Sequence, residues 1–181
     1  LTMTLKFQPS PINALALSSS PGGCFLYSGS SDGLINYWQK ERMSGRFNHK
    51  GFLQGHHFAV LCLVSIGGLI LSGSEDATIR IWRREDGDSF HSCLAVIDGH
   101  HGPVKCLAAS LETTDVLIRL LVYSASLDQT FKVWRVKVYP AENVNLEKSE
   151  AKHSQVEMEC QMSPVLSPSW VERKMQGSHF E

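Results

Sequence analysis

The chain has 181 residues, of which 43% are apolar and 19% are charged. This length and composition are typical of one globular domain, or of two small ones. With 17 Lys and Arg against 18 Asp and Glu, the net charge is -1. That balance disfavours nucleic acid as a partner, because proteins that bind it usually carry a basic excess. The longest apolar stretch, residues 59–71, is shorter than the roughly 20 residues of a membrane-spanning helix, so no membrane is expected among the partners.

The cysteines indicate a reducing compartment. There are five of them, without any C-x-x-C pair: Cys24, Cys62, Cys93, Cys106 and Cys160. No charged segment followed by an apolar run opens the sequence, as it would in a signal peptide. Together these features predict reduced thiols in the cytoplasm or the nucleus. Three of the cysteines lie in apolar strand patterns, so we expect buried, unreactive side chains.

A repeat organises the first three quarters of the chain. Residues 12–38, 60–82 and 104–134 align with one another, and in each segment an Asp precedes a Trp by six positions. The copies are spaced by 44 and then 52 residues, and the extra residues fall at 111–120, between two strands. A period of this size, with short strands and Gly/Ser turns, is typical of the blades of a β-propeller.

The last strand of each copy shows strict alternation. Before Trp82, for example, Ile79 and Ile81 flank Arg80. Period-2 alternation places the isoleucines on one face of a sheet and the Trp with its polar neighbour on the other. Short apolar runs at 51–54 and 93–97 supply a fourth strand for the first two blades.

We therefore predict an all-β fold, a partial propeller of about three four-stranded antiparallel blades. The three repeats occupy residues 7–53, 54–97 and 98–139. Residues 140–154 are polar and acidic, which predicts a flexible loop. Residues 155–162 alternate again and are interpreted as the outer strand of the last blade. Residues 163–181 are either a strap packed on the propeller or a disordered tail.

These elements resemble the WD40 repeat family. Gly55-His56 and Gly99-His100 match the start of the family's repeat, and SGSED, SASLD and the Asp-to-Trp spacing match its middle and end. The first copy lacks the Gly-His pair. The segments GHHFAVLCL, LSGSEDATIRIWRRE and SPVLSPSWVERK also resemble the plant Jingubang-like WD-repeat proteins. That resemblance implies a ring of about seven blades, of which this chain would be the C-terminal part.

The resemblance also implies a hydrogen-bonded tetrad of His, Ser, Asp and Trp in each blade. Its members would be His56, Ser72, Asp76 and Trp82 in the second copy, and His100, Ser124, Asp128 and Trp134 in the third. The first copy keeps Ser28, Asp32 and Trp38 without the His, so its tetrad should be incomplete or filled by water. An indole N–H can only donate and a carboxylate can only accept, so each of the four side chains needs its neighbour. Such a network is costly if one member is missing and rigid if it is complete, which predicts a structural role.

Partner proteins are expected to bind where the loop entering the first strand of a blade meets the turn after its second strand. The residues at these places are Ser31, His57, Phe58, Ala59, Glu75, His101, Pro103 and Leu127. Phe58 has two interpretations, an anchor for a partner or a side chain packed between blades. Neither a cofactor nor a small-molecule substrate is indicated by any motif in the chain.

The sequence favours a non-catalytic interaction scaffold, such as a regulatory adaptor in a plant cell. Ser, His and Asp recur in copies, whereas a hydrolase needs one unique constellation, so no catalytic residue is assigned. The His pairs at 56–57 and 100–101 lack further ligands at a familiar metal spacing. Two alternatives remain: a substrate receptor of a ubiquitin ligase, and a targeting domain of a larger enzyme such as a kinase. Arg83 and Arg135 follow the Trp residues where such receptors often carry Asp, which weakens the first alternative.

Overall fold

The computed structural model describes residues 4–5, 10–20, 22–84, 90–113, 118–138 and 156–161. These residues form three four-stranded sheets in which all neighbouring strands are antiparallel. Each sheet corresponds to one Asp-to-Trp repeat, so the predicted all-β architecture of three blades is confirmed. Over the same residues, no helix has the length and apolar character needed to cross a bilayer.

The strands of each blade follow one another in chain order. Blade 1 contains β1 (Ile12–Ser20), β2 (Gly23–Ser30), β3 (Ile35–Lys40) and β4 (Phe47–Leu53). Blade 2 contains β5 (Val60–Ile66), β6 (Leu69–Ser74), β7 (Ile79–Arg84) and β8 (His91–Ile97). Blade 3 contains β9 (Val104–Thr113), β10 (Ile118–Ser126), β11 (Phe131–Val138) and β12 (Val156–Gln161). Short Asp-bearing turns join the second strand of each blade to the third.

The fourth strand of blade 3 comes from a distant part of the chain. β12 pairs with β11 from Val133 opposite Gln161 to Val138 opposite Val156. It lies within the segment 155–162 that the alternation pattern marked as an outer strand. The loop predicted at 140–154 and the strap or tail predicted at 163–181 lie outside the described residues.

Each blade has two apolar faces of different character. In β7, Ile79 and Ile81 are 0% exposed on one face, and Trp82 is 4% exposed on the other. We call the face with the Trp the tryptophan face of a blade, and the opposite one the aliphatic face. Because both faces are apolar, each blade can bury one of them against the blade before it and the other against the blade after it.

Two hydrophobic cores hold the three blades together. The first core joins the aliphatic face of blade 1 to the tryptophan face of blade 2 and contains Phe25, Tyr27, Ile35, Tyr37, Leu53, Val60, Ile70 and Trp82. The second core joins blades 2 and 3 in the same way and includes Leu71, Ile79, Ile81, Val104, Leu107, Val122 and Trp134. Each large apolar side chain buried in this way contributes roughly 1.5–3 kcal/mol relative to exposure.

Glycine in the Ser-Gly-Ser segments permits the close approach of the next blade. A Cβ atom on Gly29 would lie 2.5 Å from Val60 Cγ1, and one on Gly73 would lie 2.7 Å from Val104 Cγ1. Both distances are far below the roughly 3.5–4.0 Å of a favourable carbon contact. Blade 3 carries Ala125 at the equivalent position, so a following blade would find less room there.

The arc of blades ends in an open apolar face on each side. On the aliphatic face of blade 3, Phe131 is 52% exposed, whereas its equivalent in blade 2, Ile79, is fully buried. On the tryptophan face of blade 1, Leu15 is 64% exposed, whereas its equivalent in blade 3, Leu107, is 8% exposed. Open faces at both ends are the property of a partial propeller.

Two strand boundaries differ from those expected. The extra residues at 111–120 lengthen β9 and β10, which stay paired up to Thr113 opposite Ile118. β4 begins at Phe47, well before residue 51. Its first half contains the polar residues His49 and Lys50, so it lacks the apolar run from which the strand was predicted. An edge strand accommodates them because its side chains are half solvated.

The expectation of buried cysteines is wrong for Cys93 and Cys106, which are exposed. Cys62 and Cys106 occupy equivalent positions in β5 and β9, but only Cys62 is covered by a following blade. Its thiol donates to the Val104 carbonyl at 3.5 Å, and burial raises the pKa of Cys62 to about 12. Cys93 is exposed because it lies on β8, an edge strand. The side chain of Cys160 lies outside the described part of the chain.

Candidate functional site

Blade 2 brings the four predicted tetrad residues into one hydrogen-bonded chain. The Trp82 indole Nε1–H donates to Ser72 Oγ at 2.9 Å, and Ser72 Oγ lies 2.7 Å from His56 Nε2. His56 Nδ1 lies 2.9 Å from Asp76 Oδ2. Ser72 is 0% and His56 7% exposed, so water does not compete for these bonds.

The chemistry of the four groups sets the direction of every bond. The Asp76 carboxylate can only accept, so the proton of a neutral His56 must be on Nδ1. His56 Nε2 then accepts from the Ser72 hydroxyl, which in turn accepts from the indole. Burial lowers the pKa of His56 below its ordinary 6.5, an effect that the neighbouring Asp76 only partly offsets. The imidazole is therefore neutral at physiological pH.

The Gly-His pair has a packing explanation. A Cβ atom on Gly55 would lie 2.9 Å from Trp82 Cη2, and one on Gly99 would lie 2.9 Å from Trp134 Cη2. The residue before each tetrad His must therefore lack a side chain, because the Trp ring lies directly against its backbone.

Blade 3 repeats the same arrangement almost atom for atom. Trp134 Nε1 donates to Ser124 Oγ at 2.8 Å, and His100 joins Ser124 at 2.7 Å and Asp128 at 2.8 Å. Two copies of one geometry, each saturated with hydrogen bonds, indicate a structural unit rather than a unique reactive centre.

The tetrad carboxylates have further partners that the sequence analysis missed. Asp76 also accepts from the Thr78 N–H at 3.0 Å, the Thr78 hydroxyl at 2.6 Å and the His57 N–H at 3.0 Å. Burial alone would raise the pKa of Asp76, but these bonds and the one from His56 lower it to about 2. Thr130 plays the same part toward Asp128, whose pKa is likewise lowered. The recurring Asp-x-Thr spacing was the pattern that would have revealed both threonines.

In blade 1, the residues that the structure describes form an incomplete tetrad. Ser28 Oγ is buried and makes no hydrogen bond to any residue that the structure describes. Asp32 instead accepts from the Ser30 hydroxyl at 2.5 Å and the Leu34 N–H at 3.0 Å. Trp38 packs edge-on against His49 of β4, with ring centroids 5.5 Å apart. Counting along the repeat places Gln8 at the tetrad His position, and Gln8 lies outside the described residues.

The turns and entry loops that carry the predicted contact residues meet at one edge of the blades. The Glu75 N–H donates to the Ala59 carbonyl at 2.9 Å, and the Leu127 N–H to the Pro103 carbonyl at 3.0 Å. We call the turns 31–34, 75–78 and 127–130 and the loops 54–59 and 98–103 the rim. The tetrads anchor it, because Asp76 and Asp128 each accept the backbone N–H of the residue after the tetrad His.

The rim exposes most of the residues predicted to contact partners. Phe58 is 60% and Leu127 63% exposed, so Phe58 does not pack between blades. The other exposed ones are Ser31, His57, Glu75 and His101. Ala59 is 9% exposed and supports the rim through its carbonyl rather than its side chain. Pro103 is half-buried.

A second polar cluster, also missed from sequence, joins blades 1 and 2 away from the rim. The Tyr27 hydroxyl lies 2.9 Å from His91 Nε2, and the His91 ring centroid lies 4.5 Å from that of Tyr37. Arg84 lies 4.2 Å above the Phe25 ring. Burial raises the pKa of Tyr27 to about 12 against the lowering effect of Arg84. The cluster fixes blade 2 against blade 1.

Metal coordination needs three or more suitable side chains in one place. Within the described ranges, no group of three His, Cys, Asp or Glu residues is arranged to hold a metal ion.

The fold, the tetrads and the Gly-His packing define a protein built from WD-type propeller blades. The family model described as "WD domain, G-beta repeat" matches residues 1–39, 47–83 and 91–135, more than half of the chain. The chain belongs to the WD40 repeat family. The comparison with curated proteins gives no match.

Solved structures show the same fold. The chain is similar to the WD40 repeats of RRP9, with a TM-score of 0.52 and 26% identity over 72% of this chain and 37% of that one. It is also similar to Saccharomyces cerevisiae Sqt1, with a TM-score of 0.55 and 14% identity over 82% of this chain and 34% of that one. The chain therefore spans little more than a third of the length of either protein.

Proposed function

We propose that the chain is a non-catalytic scaffold that binds other proteins through its rim. WD40 repeats generally serve as scaffolds for protein–protein interaction. The observation that carries the proposal is the contrast between the buried tetrads and the exposed rim. The Ser, His and Asp side chains of two tetrads are used up in hydrogen bonds, while Phe58 and Leu127, in the adjoining loop and turn, are exposed.

The tetrads are poor candidates for chemistry. Ser72 Oγ already accepts from Trp82 and donates to His56, and it is 0% exposed. A nucleophile must reach a substrate and hold a free lone pair in its direction. Ser124 has the same partners in blade 3. These contacts support a structural role for all members of the tetrads.

The rim is suited to binding because it is preorganised. Backbone hydrogen bonds hold each turn to its entry loop, and buried carboxylates hold the loops to the sheets. A rigid surface loses little conformational entropy when a partner docks. Exposed aromatic and aliphatic side chains on such a surface are the usual anchors of an interface.

On the cellular role, we propose a regulatory adaptor of the plant Jingubang-like type, working in the cytoplasm or the nucleus. The resemblance of the repeat segments supports the type of adaptor. The absence of paired cysteine motifs supports a reducing compartment. The open faces of blades 1 and 3 support a further point, that these blades are part of a ring of about seven. On its own the chain should then self-associate or be loosely packed, which size-exclusion chromatography measures.

The rim proposal is tested by crosslinking-assisted capture of partners from plant extract. The double variant Phe58→Ala with Glu75→Arg should lose the partners that the unchanged chain retains. Met43→Ala is the matched control, because Met43 is 97% exposed in the turn at the opposite end of blade 1. If the double variant and the control retain the same partners, the rim is not the binding surface. Recovery of ubiquitin-ligase or kinase subunits through the rim would favour the corresponding alternative role.

A further inference from the structure

The charges of the rim are all of one sign. Its described loops and turns contain no Lys or Arg, whereas they contain five carboxylates: Asp32, Glu75, Asp76, Asp98 and Asp128. One cation borders these carboxylates, since the Arg80 guanidinium of β7 lies against Gly55 of the loop 54–59. Other basic side chains lie farther away, for example Lys40, Arg42 and Arg46 around the turn at the opposite end of blade 1. The rim therefore carries more carboxylates than cations, although the total charge of the chain is nearly balanced.

The negative charges are distributed over all three blades. Asp32, Glu75 and Asp98 are exposed, and each belongs to a different turn or loop. The side chains of Asp76 and Asp128 are 6% and 9% exposed, and they remain ionised because each accepts several hydrogen bonds. Charges spaced in this way produce a field over the whole rim, which attracts cations and repels phosphates within about 10 Å at moderate salt.

Two large apolar side chains project into this field. Phe58 is 60% and Leu127 63% exposed, and their backbones are held in place. The Phe58 carbonyl accepts from the Ser74 hydroxyl at 3.1 Å, and the Leu127 N–H donates to the Pro103 carbonyl at 3.0 Å. Because these anchors are fixed, a partner can bury apolar surface on them without first ordering the rim.

We propose that the rim recognises a basic segment of a partner protein, in which Lys or Arg side chains lie next to apolar ones. This inference rests on the proposed function, since it names the chemistry of the partner for the same surface. The apolar side chains would pack on Phe58 and Leu127, and the cations would lie near Glu75 and the neighbouring carboxylates. Nucleic acids and phosphorylated segments are excluded by the same charges that attract the basic segment.

The probe for this proposal is a random dodecapeptide library displayed on phage and panned on the full immobilised chain. Enriched peptides should combine Lys or Arg with Leu, Ile or Phe more often than the input library does. Synthetic fluorescein-labelled copies should bind about tenfold more weakly to Glu75→Lys at roughly 0.05 M salt, and the difference should shrink at roughly 0.5 M salt. Phe58→Ala should also weaken binding about tenfold or more.

Glu41→Lys is the matched control, since it reverses an exposed charge at the opposite end of blade 1 and should leave binding unchanged. Thermal melts of the variants should coincide with that of the original chain, because all the substituted side chains are exposed. Enriched peptides that are neutral or acidic but still depend on Phe58 would overturn the inference and leave the proposed function standing. No enrichment, or binding that none of the rim substitutions weakens, would overturn both.

Discussion

Replacing Trp82 by Phe removes one hydrogen bond from the blade 2 tetrad and keeps an aromatic ring in the same buried place. The indole N–H donates to Ser72 Oγ at 2.9 Å, and Ser72 is 0% exposed, so water does not replace the lost donor. An unmet buried hydrogen bond costs about 1–3 kcal/mol, and the smaller ring adds about 1 kcal/mol of cavity. We expect Trp82→Phe to lower the free energy of unfolding by about 2–4 kcal/mol, and Trp82→Ala by about 3–5 kcal/mol.

Trp38 is the matched control for this prediction. It is 7% exposed and has the same place in blade 1, but Ser28 Oγ does not bond to it. Trp38→Phe should therefore cost only the cavity, about 1 kcal/mol. Urea denaturation followed by far-UV circular dichroism measures both variants without relying on Trp fluorescence. Equal losses for Trp82→Phe and Trp38→Phe would refute the energetic role assigned to the tetrad bond.

Three further predictions concern packing, backbone strain and pH. Gly29→Ala should cost about 1–3 kcal/mol, because its Cβ would meet Val60 Cγ1 at 2.5 Å; an unchanged melting temperature would contradict the close approach of blades 1 and 2. Ala77 has a φ of 65°, which favours glycine, so Ala77→Gly should raise the unfolding free energy by about 0.5–1 kcal/mol, and a loss in urea titration would argue against a strained turn. The pKa values of His56 and Asp76 are both lowered in the folded chain, so the unfolded chain binds more protons as the pH falls. Stability should therefore decrease below about pH 6.5 because of His56, and again between about pH 4 and 2 because of Asp76. Thermal melts across pH should show the first decline weakened in His56→Asn, and an identical decline in that variant would remove His56 as its source.

The Asp-to-Trp repeat made most of the fold predictable. Alternation around Trp82 identified a strand and assigned its two faces, because side chains of a strand point to opposite sides at every step. The position of Gly99 before His100 identified the start of the third repeat. Polar residues interrupt the alternation in the first half of β4, for example at His49, and the pattern did not identify that half as a strand. An edge strand accepts polar side chains that a central strand would not.

The rim and the interblade contacts were predictable only in part. The resemblance to the family named the tetrad and the turns, but Thr78 was overlooked although it follows Asp76 by two positions. The bond between Tyr27 and His91 joins strands of different blades, 64 positions apart. Nothing local in the sequence marks such a pair, because it depends on how one sheet is placed against the next.

The order of residues by itself determined most of the strands and the turns between them, since these follow from side-chain period and backbone preferences within one repeat. The members of the tetrads came from the resemblance to the family. Only the tertiary structure decided which apolar groups are covered. Cys62 and Cys106 have equivalent places in their repeats, yet one is half-buried and the other exposed. Burial is a property of the neighbouring blade, and a residue at the end of the arc has no such neighbour in the described chain to exclude water from it.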